Sequence, residues 1–174
     1  VSSSNGSVSP GHLAALNYTT TVAYTNKAAS GRKQAAYILE ARKMLKASFY
    51  STVIIPVWTP NDNDSTNTIG QDWASLLAFI TYAKSLGVKV ILRSAIPDYA
   101  LSLNQDNTRK ALNEKAKALA QSDKDVFYLD TDSVISDGAS PARQKTTYST
   151  GSDGRHPNAA GITATSVVDR KSVV

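Results

Sequence analysis

Apolar positions along this chain switch between two spacings, one suited to strands and one to helices. Thr20 to Tyr24 is β-branched and aromatic, which predicts a short strand, and Asn26 to Gly31 supplies turn residues after it. Between Arg32 and Lys46, Ala35, Ile38, Ala41 and Leu45 recur at helical spacing and predict an amphipathic helix. Val53, Ile54, Ile55 and Val57 then form a continuous β-branched run ending at Trp58, the pattern of a strand buried on both faces of a parallel sheet. Thr59 to Asn67 is polar and turn-rich. Trp73, Leu76, Leu77, Ile80 and Ala83 mark a second helix, with Gly87 where a C-terminal cap belongs. Val88 to Leu92 reads as a strand, and after a loop around Pro97, Leu112, Ala116 and Leu119 define a third helix. Val126 to Leu129 is a further strand, Asp130 to Asp153 is irregular, and Asn158 to Arg170 is helical again.

Strand and helix therefore alternate four times. That order specifies an α/β domain of three layers, α/β/α, with a mostly parallel sheet, because right-handed crossovers lay successive helices on its faces. Such sheets bind ligands beyond the carboxyl ends of their strands. Chemistry is expected in the loops after Tyr24 and Val57 and in the last loop. No repeat or interdomain linker divides the chain, and residues 1–174 are expected to form a single domain.

Composition narrows the chemistry. With no cysteine, disulfides, thiolate metal sites and cysteine nucleophiles are excluded. No apolar stretch reaches the roughly 20 residues that a bilayer requires, so no membrane insertion is expected. Val1 opens no basic-then-apolar leader, and any export signal is expected to have been removed. The net charge is +5, but Arg32, Lys33, Arg42, Lys43 and Lys46 surround one predicted helix and Arg109, Lys110, Lys115 and Lys117 another. Without aromatic residues interleaved to stack bases, these read as solvated helix faces and no nucleic-acid partner is expected. The run Asn61 to Asp64 lacks the bidentate acid and turn glycine of a calcium loop, so neither metal nor other cofactor is expected.

Only His12 and His156 can serve as imidazole bases. His156 is the better candidate, lying in Asp153-Gly154-Arg155-His156-Pro157-Asn158 directly before a predicted helix. Asp153, three residues earlier, is close enough to accept a hydrogen bond from one ring nitrogen while the other faces a nucleophile. The competing reading makes Asp153 a helix cap and His156 an incidental surface residue. Trp58 ends a strand at the carboxyl edge of the sheet, where its ring could stack on a ligand such as a sugar, whereas Trp73 opens the apolar face of a helix and belongs to the core. The sequons at Asn5, Asn17 and Asn63 matter only in a eukaryotic secretory pathway.

The segment Asp153-Gly154-Arg155-His156-Pro157-Asn158-Ala159-Ala160-Gly161 resembles the last block of the SGNH, or GDSL-like, hydrolases. Asn26 to Gly31 is similar to their second block, and Thr59-Pro60-Asn61-Asp62 to their third, whose usual form is Gly-x-Asn-Asp. The first block departs from the pattern: Asn5-Gly6-Ser7-Val8-Ser9-Pro10-Gly11 stands where Gly-Asp-Ser is usual, with Asn5 for Gly and Gly6 for Asp. The blocks span essentially the whole chain in the family's order. The resemblance implies a flavodoxin-like sheet, Ser7 as nucleophile with Ser4 and Ser9 as fallbacks, and His156 and Asp153 as base and orienting acid. It also implies an oxyanion hole made by the Ser7 and Gly31 amides and the Asn61 side chain. Only Val1 to Ser4 remain to form the strand before Ser7, which is the expectation for a fragment or a processed product.

The function this implies is a serine esterase removing a short acyl group, acetyl first, from a carbohydrate. The loops around Asn61 and Asp153 are hydrophilic, unlike the apolar channel that long-chain substrates need. The partner expected is a carbohydrate or small ester, in a secreted or extracellular setting; a bacteriophage virion is an analogy drawn from the Ser/Thr/Asn-rich surface. Two alternatives stand beside it: an inactive carbohydrate-binding module of the same fold, supported by the altered first block, and a lipase- or thioesterase-type acyl hydrolase.

Overall fold

The structure, a computed structural model, describes residues 31–47, 50–59, 61–62, 69–150, 154 and 156–171. The expected strand at Thr20–Tyr24, His12 and the whole first block fall outside them. Within them the order is α1 (Gln34–Ala47), β1 (Thr52–Pro56), α2 (Ile69–Ser85), β2 (Lys89–Arg93), α3 (Leu103–Ser122), β3 (Val126–Leu129), α4 (Asp132–Ile135) and α5 (Ala159–Lys171). The three strands are parallel in the spatial order β1-β2-β3, with Ile54 opposite Ile91 and Val90 opposite Val126. Each crossover from one strand to its neighbour carries a helix, the βαβ arrangement that the alternation predicts.

One face of this sheet carries the main core. Ile55, Val57, Val90, Leu92 and Val126 meet Ile38 and Leu45 of α1, Leu76, Phe79, Ile80 and Ala83 of α2, and Leu112 and Ala116 of α3 in a single cluster. Burying such side chains contributes roughly 1.5–3 kcal/mol each, so this cluster is the main source of stability. Trp73 packs against it, as the helical spacing predicts. Arg42 joins α1 to α2, donating to the Ala78 carbonyl at 3.2 Å and lying 4.7 Å from the centre of the Tyr82 ring.

Caps fix the helix ends. At the end of α2 the Gly87 amide bonds the Lys84 carbonyl at 2.9 Å and the Val88 amide the Ala83 carbonyl at 3.1 Å, the paired bonds of a Schellman cap that turns the chain into β2. Helix α3 opens with a capping box in which the Ser102 hydroxyl accepts from the Gln105 amide and the Gln105 side chain accepts from the Ser102 amide. Among the described residues, no helix is long and apolar enough to cross a membrane.

Three expectations are corrected. Ile54 is 40% exposed, so β1 is not buried on both faces along its length. Trp58 is only 5% exposed and sits in the hydrophobic cluster, where its ring has no open face to offer a sugar. Arg109 is not part of a solvated helix face: it is fully buried on α3.

Candidate active site

The loop leaving the carboxyl end of β1 and the loop entering α1 are fastened together by one carboxylate. Asp62 is buried and accepts three donors: the Gln34 amide at 3.0 Å, the Thr59 amide at 2.8 Å and the Thr59 hydroxyl at 2.8 Å. Gln34 is the first residue of α1, so the acid meets one of the unpaired N–H groups and the positive end of the helix dipole. The Gln34 side chain reaches back to the Val57 carbonyl and closes the clamp from the other side.

That clamp brings Asn61 against the turn at Gly31. The Asn61 amide nitrogen donates to the Arg32 carbonyl at 3.2 Å, and the Thr59 hydroxyl oxygen, its hydrogen directed at Asp62, lies 3.1 Å from the same carbonyl oxygen. Gly31 holds φ of 72°, a left-handed conformation that a side chain would strain, and the space where a Cβ would stand is open. Two of the residues expected to supply oxyanion donors are thus juxtaposed at the carboxyl edge of the sheet. One hydrogen of the Asn61 amide orients the side chain on Arg32, and a –NH2 group carries a second.

The last block is organised around Asn158 and Gly161. The Asn158 carboxamide oxygen accepts the Gly161 amide at 2.9 Å, capping α5 at its third residue, while the amide nitrogen donates to the Thr147 and Ser149 carbonyls, both at 3.0 Å. Asn158 is therefore the N-cap of α5. A Cβ on Gly161 would lie 2.6 Å from the Tyr148 carbonyl oxygen, so only glycine lets the helix pass this close to the 145–150 segment. His156 is exposed, and its carbonyl accepts from the Thr150 amide at 2.9 Å and the Thr150 hydroxyl at 3.2 Å. Its backbone is thereby anchored while the ring remains on the surface. Gly154 lies against the Tyr99 side chain, which puts this block beside the loop that follows β2 at the same sheet edge. Ser7 and Asp153 lie outside the described residues.

Sequence reasoning missed a buried polar cluster beneath that edge. The Arg109 guanidinium meets Asp106 with Nε at 2.9 Å, Asp132 with one terminal nitrogen at 2.6 Å, and the Ala95 carbonyl at 2.7 Å. Asn113 pairs with both polar groups of Ala95, at 2.8 and 3.0 Å. Asp106 also accepts the Ala142 amide at 2.9 Å and Lys110 at 2.8 Å. Burial alone would push the Asp106 carboxyl up, but the Ala142 amide, Lys110 and Arg109 together hold it below the usual carboxylate range. The Tyr128 phenol is pushed up, first by burial and then by the neighbouring charges of Asp130 and Asp132. A signal for the cluster existed: Asp106 and Arg109 extend the helical stripe of Leu112, Asn113 and Ala116, and two charges on a core-facing stripe must be paired.

The parallel sheet with flanking helices, with Gly31, Asn61 and Gly154 near one of its edges, is the fold of the SGNH hydrolases. A proposed lipolytic protein of the G-D-S-L family from Desulfitobacterium hafniense matches with a TM-score of 0.76 at 16% identity, over 94% of this chain and 87% of its own. A GDSL-like lipase from Bacteroides thetaiotaomicron matches with 0.70 at 19% identity, over 82% and 71%. A proposed acylhydrolase from Bacteroides fragilis matches with 0.69 at 21% identity, over 81% and 69%. No protein-family profile and no curated protein sequence matches the chain. At these identities the likeness defines the fold, and function has to be argued from the site.

Proposed function

We propose that this protein is a serine esterase that removes short acyl groups, acetyl first, from a carbohydrate. The observation that carries this reading is the Asn61 amide held 3.2 Å from the Arg32 carbonyl, beside the open turn at Gly31. An oxyanion hole needs donors fixed before charge develops, and a doubly clamped loop meets that requirement.

In the proposed reaction the Ser7 hydroxyl attacks the ester carbonyl while His156 takes its proton, and Asp153 holds the imidazolium. The oxygen of the tetrahedral intermediate gathers negative charge and is met by the Ser7 and Gly31 amides and the Asn61 side chain. Collapse expels the sugar alkoxide, which His156 protonates. Water then repeats the sequence on the acyl-enzyme, releasing the acid and restoring Ser7.

The short acyl group is supported by the polar character of the surrounding loops, which carry the partly exposed Asn61 on one side and Thr150 and Asn158 on the other. A polysaccharide ester is an extracellular substrate, and we read the protein as working there. The test is turnover of p-nitrophenyl acetate, butyrate and decanoate. A kcat/KM falling steeply with chain length supports the reading, a rise with chain length supports a lipase or thioesterase, and no turnover supports a binding module with a defunct first block.

A further inference from the structure

The loop that follows β2 is largely buried and reaches the surface at Tyr99 and Ala100. Ser94, Ala95, Pro97, Asp98 and Leu101 are buried, whereas Tyr99 is 55% exposed. The loop is fastened from below. Ala95 is held at both its amide and its carbonyl by Asn113, and at its carbonyl also by Arg109. The Pro97 carbonyl accepts the Gln144 side chain at 3.0 Å, and the Asp98 carboxylate accepts the Ala100 amide at 3.0 Å. A large aromatic side chain left in water at the tip of a rigid loop contributes little to the core, since its apolar area stays exposed.

Its position gives it a use. The Tyr99 Cβ is 3.0 Å from where a Gly154 Cβ would stand, so the side chain rests on the last block two residues before His156. We infer that Tyr99 is a substrate-positioning residue whose ring contacts the pyranose unit bearing the ester. This rests on the esterase reading above and takes over the role the sequence suggested for Trp58. A pyranose presents a face of C–H groups with hydroxyls around its rim, and a half-exposed tyrosine ring with a polar tip complements both. An acyl chain would instead need apolar walls on several sides. Because the loop is already fixed, little ordering cost opposes the contact.

The experiment compares wild type with Tyr99→Ala and Tyr99→Phe on p-nitrophenyl acetate and on a panel of O-acetylated xylo-, manno- and gluco-oligosaccharides. Calorimetric titration with the unacetylated oligosaccharides is run in parallel. Tyr99→Ala should lower the ratio of kcat/KM on the best oligosaccharide to that on the aryl acetate by roughly five- to tenfold, mainly through KM, and Tyr99→Phe should recover most of it. Oligosaccharide binding should weaken by the same factor in the alanine variant. An equal loss on both substrates would overturn the inference and make Tyr99 a support for the His156 loop. An unchanged ratio with unchanged binding would also overturn it. If wild type hydrolyses nothing, the esterase reading fails by itself, and the calorimetry alone then decides whether Tyr99 holds sugar.

Discussion

The Asn61 side-chain amide donates to the Arg32 main-chain carbonyl at 3.2 Å, and the adjacent Asp62 carboxylate accepts the first amide of α1 at 3.0 Å. Two consecutive residues are thus held differently: Asp62 fastens the loop, and Asn61 lies on the turn at Arg32, where the proposed oxyanion hole would form.

This division predicts different phenotypes. Asn61→Ala should lower kcat on p-nitrophenyl acetate by roughly 10²–10³-fold with little change in KM, because the lost donor acts on charge that develops after binding. Asp62→Ala strips three buried donors of their acceptor and should cost roughly 1–3 kcal/mol of stability, read by thermal or denaturant melting. A pure KM effect at Asn61 would make it a ground-state contact.

The Arg109 cluster sets an acid limit. Asp106 is held low in the folded protein, so its stabilisation is complete above the unfolded carboxylate value of about 3.9 and is lost as pH falls through the lower folded value. Unfolding free energy should therefore drop on acidification below about pH 4, and Asp106→Asn should flatten that drop while lowering stability at neutral pH. Arg109→Met leaves Asp106 and Asp132 without their shared cation and should cost about 3–5 kcal/mol. Asp123, held low first by its ion pair with Lys84, is nearer the solvent and should contribute less.

Gly161→Ala is a test of packing rather than chemistry. Its Cβ would approach the Tyr148 carbonyl oxygen to 2.6 Å, so either α5 or the 145–150 segment must move. A loss of roughly 1–3 kcal/mol is expected, together with reduced esterase activity, since Tyr148 also accepts the Asn158 amide. Melting and turnover measured on the same preparation check both.

Much of this was legible in the chain. The spacing of Ile38 and Leu45, and of Leu76, Ile80 and Ala83, marked two helices whose apolar stripes are buried, and Gly87 marked the turn between α2 and β2. The last block was legible only as a resemblance; that Asn158 caps α5 and that Gly161 admits a close contact are features of the structure, and the sequence had offered Asp153 as the cap. Long-range effects were hidden. Trp58 looks like an edge residue at a strand end, yet packing carries it into the core, and Arg109 looks like one cation among four on α3 until Asp132, 23 positions on, supplies its second acid. The aromatic residue left open at the edge, Tyr99, carries no motif.

The orienting acid can be separated from its neighbours. Asp132 is tied to Arg109 and Asn113, and Asp130 accepts the Ser133 amide at 3.1 Å, so neither is an idle carboxylate. Asn158 already supplies the α5 N-cap. Asp153→Asn should lower kcat by about 10⁴-fold without a change in melting temperature, because an amide favours the wrong imidazole tautomer. Near-wild-type activity would show that Asp153 does not orient His156.

The central claim is that Ser7 is the nucleophile of an esterase, and steady-state hydrolysis of p-nitrophenyl acetate by wild type and Ser7→Ala tests it most directly. Saturable turnover by wild type and a loss of at least roughly 10³-fold in Ser7→Ala, with the same thermal melt, is the predicted result. Full activity in Ser7→Ala, or none in wild type, would contradict the account.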